Sequence, residues 1–484
     1  MAEGKNINRL QHVVSPALKA GGRAAFRSEL LASVRLGGPL ALGELGWMST
    51  YIVDAIMVGH LPHSALSISA SSLGNTIYYA IAFFAIYLLN GLETFIAQAA
   101  GQGNRSEAVR MLMQSMWIVG VGTPVVMVAT LASALLLPHL GTSAEMFAET
   151  QRYLHALVWS TAPLMLYMAI RRFLQSINRV LLVSASLITA GLVNWFFDWC
   201  LLYGHFHFPA LGIAGSGWST VLVRCWMLVV IVPGAVLAFR ELDVWPEVRM
   251  LIPDAVRLKA LLRIGWPSGL QFSLELGIST YMSVLCARLG TTYLAAHQVT
   301  LDLNAFVYMV PTGLAYAAMI RVGQAAGRNS LDEVRRSASA SLTLALGYSS
   351  FAAVLFLVFS QRFAHLYTTD PHVVAAAVPL FRLCALLILG DAAFVIHASA
   401  LTGLGDTRSP MWISITCNWV LGMPAAYLLA FPLGQGVYGL WVGRAMSSVV
   451  SGVAMSAWWY YRMRVEKSAS SSANINLLTP LRAR

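Results

Sequence analysis

Arg35-Leu36-Gly37-Gly38-Pro39 returns later in the chain as Arg263-Ile264-Gly265-Trp266-Pro267, with arginine, glycine and proline in step. The offset is 228 residues (263 − 35). Further out, Gln98-Ala99-Ala100-Gly101 comes back at Gln324–Gly327, an offset of 226 (324 − 98). Asn194-Trp195 comes back as Asn418-Trp419, an offset of 224 (418 − 194). Three matches in one order at nearly one spacing mark a duplicated half, a design typical of transporter folds.

The stretches between these markers are apolar. Of 484 residues, 57% are hydrophobic and 11% charged, against roughly 25% charged in a soluble domain. Mean hydropathy is +0.66. Such a chain suits lipid, where exposed charge is costly. The first 35 residues are polar and basic without an early apolar run, so no signal peptide is expected and the first span should remain uncleaved. The cysteines (Cys200, Cys225, Cys286, Cys384, Cys417) are scattered through apolar segments without C-x-x-C spacing. They read as packing residues, not a zinc site or disulfide framework.

Runs of about 20 apolar residues span a bilayer. Six fall in the first half, near 36–59, 66–97, 111–137, 153–170, 181–203 and 211–239. Six more lie near 261–289, 292–322, 338–359, 373–401, 410–431 and 437–461. The expected fold is all-α: twelve membrane helices in two lobes, 35–239 and 261–463. A cytosolic segment 1–34, a linker 240–260 containing Pro246 and Pro253, and a disordered Ser/Ala/Asn-rich tail 464–484 complete the organisation.

The formal net charge of +11 is unevenly placed. Arginines and lysines crowd the N-terminus, alternate connections and the tail. The intervening connections hold few, chiefly Arg152, Arg288 and Arg362. By the positive-inside rule both termini are cytosolic, so the basic balance reports topology in a cytoplasmic (inner) membrane and not nucleic-acid binding. Six spans is an even number. Both halves therefore enter from the same side, and the repeat is parallel, about a pseudo-two-fold axis along the membrane normal.

Several motifs carry a family resemblance. V-D-A-I-M-V-G-H-L around Asp54, L-E-T-F-I-A-Q-A-A-G-Q-G-N at Leu92–Asn104 and A-A-H-Q-V at Ala295–Val299 are three of them. Y-M-V-P-T-G-L at Tyr308–Leu314, R-V-G-Q-A-A-G at Arg321–Gly327 and N-W-V-L-G-M-P at Asn418–Pro424 are the others. In order and spacing, from about Arg35 to about Tyr460, they resemble the multidrug and toxic compound extrusion (MATE) transporters. The resemblance implies two six-helix lobes exporting organic cations in exchange for protons or sodium.

Acids inside spans are functional candidates by default. Here they are Glu44, Asp54, Glu93, Asp198, Glu275, Asp302 and Asp391. Trp47 and Tyr51 lie seven and three residues before Asp54, on one helix face, and aromatic rings beside a carboxylate suit an amphipathic cation. The bland alternative is an interfacial aromatic belt. The resemblance makes the first-helix aspartate a coupling residue. Asn194 and Asp198 are i, i+4 neighbours that, with Asp54 and the aligned hydroxyl of Thr220, form the expected first-lobe cluster. In the second lobe Gln271 and Glu275 share a face, and Asp391 falls where the family carries an acid. Asp302 stands where the family usually has asparagine, and its role is open. So are those of Glu44, which has no assignment, and Glu93, which is closer to a gate or packing contact than to a drug ligand. His297 reads as structural, and His205 and His207 as loop residues. Pro39 and Pro267 are candidate conformational kinks, with a static bend as the alternative.

A carboxylate in a low-dielectric cleft needs a positive partner, and a proton or a cationic drug serves equally. That competition gives antiport. No G-x-x-x-x-G-K-[ST] loop is present, so ATP is not the expected driving force. No cofactor is expected beyond the coupling ion, H⁺ or Na⁺, with sodium ligated by Asp54, Asn194, Asp198 and Thr220. Expected partners are small organic cations and membrane lipid, with the chain acting as a monomer. A flippase for lipid-linked precursors is the alternative. It would need a cationic cleft, yet only Arg224, Arg382 and Arg444 lie well inside spans against seven acids. An intramembrane enzyme lacks a G-x-S-x-G or H-E-x-x-H motif.

Overall fold

The computed structural model describes residues 22–61, 64–140 and 142–470, and every regular element among them is helical. The first lobe comprises α1 (Gly22–Val58), α2 (Ser64–Leu88 continued by Asn90–Gly101) and α3 (Arg105–Ala134). Next come α4 (Ala144–Leu157 and Thr161–Ser176, joined by a 3-10 turn), α5 (Val180–Tyr203) and α6 (Ile213–Leu242). The second lobe comprises α7 (Ala255–Leu289), α8 (Thr291–Gly327), α9 (Leu331–Tyr367) and α10 (Pro371–Gly403). It ends with α11 (Arg408–Ser414, a π-helical stretch Ile415–Gly422 and Met423–Ala430) and α12 (Gly436–Ser470).

Twelve long helices thus stand where twelve spans were expected. Nine of them, among the described residues, are long and apolar enough to cross a bilayer on composition alone. The others are α1, α7 and α12, whose polar and charged residues dilute the apolar run. Two boundaries shift. Residues 22–34 already belong to α1, and the linker is short, with α6 running to Leu242 and α7 starting at Ala255. One expectation is corrected: 464–470, read as part of a disordered tail, continue α12 to Ser470, where Arg462 pairs with Glu466 one turn on. Residues 1–21 and 471–484 lie outside the described residues.

The duplication extends to helix caps. Asn104 begins α3 by accepting from the Glu107 backbone N–H, and Ser330 begins α9 by accepting from that of Glu333. Both are a capping side chain followed three residues on by glutamate. Both helices also face outward. Val121, Val125 and Val128 of α3 are more than half exposed, as are Phe351, Val354 and Val358 of α9. Apolar stripes at helical spacing on the outside are what lipid contact requires. Inside, tyrosine hydroxyls find partners: Tyr167 with Ser186 at 2.8 Å, and Tyr153 with Asn75 at 2.9 Å.

The lobes meet through small residues. Gly37 and Ala41 of α1 cross Gly313 and Ala317 of α8, so closely that a Cβ on Gly313 would strike the Ala41 backbone. By the same symmetry, a Cβ on Gly265 of α7 would strike the Leu88 carbonyl of α2. This is small-residue helix packing, and it explains the glycines of the repeated R-x-G-x-P motif. The inter-lobe hydrogen bonds sit at the arginine-rich end. Gln98 donates to the Gly403 carbonyl and Gln324 to the Ser176 carbonyl, each at 2.9 Å, while Thr94 donates to Thr402 at 2.9 Å. Arg321 of α8 adds a two-point contact to Glu29 of α1 at 2.5 and 2.7 Å.

Candidate functional site

In the first lobe, α1, α5 and α6 bring their polar residues to one buried point. Asp54 is 9% exposed, Asn194 1% and Asp198 0%. Helical i, i+4 spacing lets the Asn194 side-chain amide donate to Asp198 Oδ2 at 2.7 Å. Ser216 on α6 donates to Asp54 Oδ1 at 2.8 Å. Asp54 and Asp198 are close enough to interact directly. The other carboxylate oxygen, Asp198 Oδ1, is buried and receives no donor of good geometry among the described residues; the nearby Ser219 hydroxyl donates to the Asn194 carbonyl at 3.5 Å.

The hydroxyl hydrogen-bonded to Asp54 is that of Ser216, one turn from the expected Thr220. Thr220 Oγ1 turns back to the Ser216 carbonyl at 3.1 Å. The two residues lie on the same face of α6, in G-S-G-W-S-T. The side chain of Tyr51 lies outside the described residues.

Arg224, one turn beyond Thr220 on α6, is 3% exposed. It donates to Tyr78 Oη at 2.7 Å, to Tyr79 Oη at 3.1 Å and to Ser160. Its guanidinium lies 5.2 Å and 5.9 Å from the two tyrosine ring centres. Neutral partners therefore hold this cation, and Asp54 feels its charge without an ion pair.

The second lobe builds a wider network. Gln271 donates to Glu275 Oε1 at 3.1 Å, and Ser414 reaches the same oxygen at 3.4 Å. Asn418, in the π-helical part of α11, donates to Ser414 and accepts from Ser447. Ser448 donates to Asp391 at 2.6 Å, and Arg444 forms an ion pair with Asp391 at 3.5 Å. Glu275 and Asp391 lie within each other's field. Asp302 stands apart: its partner is Gln298, 2.8 Å away and one turn back on α8.

Two further acids acquire partners that the sequence did not reveal. Arg171 and Arg172, adjacent on α4, pair with Glu44 of α1 and Glu93 of α2, the latter at 3.0 Å. Arg171 also lies 5.7 Å from the Tyr316 ring of α8, across the lobe seam. His297 is buried and hydrogen-bonded to Ser283 at 3.1 Å, in keeping with a structural role. Pro39 and Pro267 both sit inside their helices, and Ser184 donates to the Pro39 carbonyl.

The chain can now be set beside known proteins. The MatE family model matches it twice, over 39–200 and 267–428, beginning at the two repeated prolines. A probable multidrug resistance protein NorM from Rhizobium meliloti is 30% identical over 456 residues, covering 92% of this chain and 95% of that protein. Multidrug resistance protein MdtK of Yersinia pseudotuberculosis is 28% identical, covering 88% and 94%. Among solved structures, a MATE protein in the bent conformation superposes with a TM-score of 0.83 at 18% identity, covering 91% and 97%. A eukaryotic MATE transporter, AtDTX14, gives 0.78 at 18%, covering 92% and 99%. The repeat, the two lobes and these matches agree: the chain belongs to the MatE family and is a multi-pass membrane transporter, not an enzyme.

Proposed function

We propose that this protein is a secondary antiporter that exports amphipathic organic cations in exchange for protons. Its lobes, 35–239 and 261–463, alternate access to the cleft between them. The observation that carries the reading is Asp198 Oδ1, a buried carboxylate oxygen without a well-placed donor among the described residues, beside a second carboxyl, Asp54. Two carboxylates side by side in a dry site are stable only with a positive charge or a proton between them. A proton shared by the pair supplies the missing donor, and a cationic guest that displaces it does the same work electrostatically. The multidrug-resistance names of NorM and MdtK support drug-like cargo.

Proton is preferred to sodium because one proton shared between two adjoining carboxyl groups needs no further ligand, whereas a sodium ion takes a shell of several oxygens. Exchange of one proton for one monovalent cation moves no net charge and draws on the pH difference alone; a second proton per cation would add about 2.3 kcal/mol per 100 mV of membrane potential. The arginine-rich end faces the cytosol in this reading, with both termini there, and one chain suffices for transport.

The test is dye efflux in everted vesicles energised separately with a proton or a sodium gradient. Proton-driven efflux that survives sodium removal supports the reading. Efflux that follows sodium alone refutes the coupling ion while leaving the lobes and cluster in place.

A further inference from the structure

At the arginine-rich end, where the two lobes close on each other, lies a cavity of about 240 Å³. Its wall includes Arg263 of α7, Arg408 at the start of α11, Arg462 of α12, Asp406 in the α10–α11 turn, and Phe95 of α2. We propose that this cavity is a binding site for a phosphate-bearing anion. The volume holds such a group together with a few waters, each occupying roughly 30 Å³ in the liquid.

The charges favour an anion. Three guanidiniums face one carboxylate, and that carboxylate is already engaged: Asp406 accepts from the Ser409 backbone and hydroxyl at 3.1 and 2.8 Å and pairs with Arg462. Arg462 is further neutralised by Glu466 at 3.2 Å. Arg263 and Arg408 have no ion-pair partner among the described residues, and both are exposed residues that line the cavity. Two arginines without ion-pair partners on the wall of one small cavity carry the planar forked donors that phosphate oxygens take up. The first lobe has no such pair at its matching turn, where Arg179 is neutralised by Glu241.

The location gives the site a consequence. Phe95 lies between Thr94 and Gln98, which donate across the seam to the Thr402 and Gly403 carbonyls, and the cavity-lining turn starts with the next residue, Leu404. An anion seated there rests against the closed seam. It bridges three second-lobe elements that must keep their places for the seam to stay shut. The same chemistry has two sources, the headgroup of an acidic phospholipid in the adjoining leaflet or free phosphate in solution.

The experiment uses the full chain, purified and placed in phosphatidylcholine discs with or without an equal share of phosphatidylglycerol, and separately in detergent with inorganic phosphate. Native mass spectrometry counts retained phosphatidylglycerol, and a thermal-unfolding shift titrates phosphate. The double variant Arg263→Gln/Arg408→Gln should weaken the bound anion about ten-fold or more, since each arginine facing an anionic group near a surface contributes about five-fold. Arg263→Lys/Arg408→Lys should keep part of the affinity. Arg35→Gln, the repeat-related arginine outside the cavity, should leave it unchanged. Loss confined to phosphatidylglycerol identifies a lipid headgroup, and loss confined to phosphate identifies a soluble ligand. Equal anion binding by the double variant and the parent, or equal loss in Arg35→Gln, overturns the site.

Discussion

The two lobes share a frame and differ in their charges. Arg35/Arg263, Gln98/Gln324, the Asn104 and Ser330 caps and Asn194/Asn418 all recur. The acids do not. In the first lobe Asp54 and Asp198 meet each other, and the nearby Arg224 is occupied by tyrosines and a serine. In the second lobe Asp391 is paired with Arg444, and Glu275 sits in an amide and hydroxyl network. The lesson is a division of labour after duplication. Backbone crossings and caps are what both halves need to stand in lipid, so they persist. A carboxyl pair without an internal cation is open to exchange, whereas a carboxylate with its own arginine is already answered.

The sharpest way to break this comparison is to remove one acid from each lobe. Asp54→Asn should reduce dye efflux to the level of cells lacking the transporter, with normal protein levels. Asp391→Asn should retain a measurable fraction, because it leaves Arg444 to find water. Equal loss in both variants would erase the proposed asymmetry.

The stability counterpart concerns arginines. Arg172→Met strands the Glu93 carboxylate, which is fully buried, and should cost about 3–5 kcal/mol. Arg444→Met should cost less than half of that, since Asp391 keeps Ser448 and partial water access at a longer ion-pair distance. Chemical or thermal unfolding in detergent compares the two. The reverse ranking would show that the second-lobe pair is the structural one.

Where the lobes are alike, their variants should be alike. Gln98→Leu and Gln324→Leu each strip one seam hydrogen bond and leave a buried carbonyl without its donor, at about 1–3 kcal/mol apiece. Labelling of a single cysteine introduced at the arginine-rich end should rise to a similar degree in both. A several-fold difference would mean that the pseudo-symmetry is cosmetic there.

The smallest expected effect lies at the join between lobes. Asp254 caps α7, and the Arg257 backbone N–H, followed by the Arg257 side chain, holds its carboxyl below the ordinary aspartate value of 3.8. A depressed acid contributes stability above its unfolded value and loses it as pH falls through the folded one. The parent should therefore lose this contribution only below pH 3.8. Asp254→Ala should lose roughly 1 kcal/mol or less at neutral pH and show no further loss from this group in acid.

The frame was legible because it is written in local code: apolar run length, arginine placement, and glycines and prolines at a fixed offset. The acids were legible too, as unusual residues in apolar runs. Their partners were not. Arg171–Glu44 and Arg172–Glu93 join helices far apart in the chain, and no local spacing announces which arginine meets which acid. The choice between Ser216 and Thr220 turns on which hydroxyl bonds back to its own helix, a rotamer matter invisible in a string of letters. The π-helical stretch at Ile415–Gly422 was read as ordinary helix, because one wider turn leaves the hydrophobic pattern nearly unchanged.

Gln98 and Gln324 form reciprocal clasps, each lobe gripping a carbonyl at a helix end of the other. Related by the pseudo-two-fold axis, the two clasps carry equal load in any motion that keeps that symmetry, and the seam parts fully only when both have let go. The latch at this end is thus shared by both products of the duplication, neither half holding it alone.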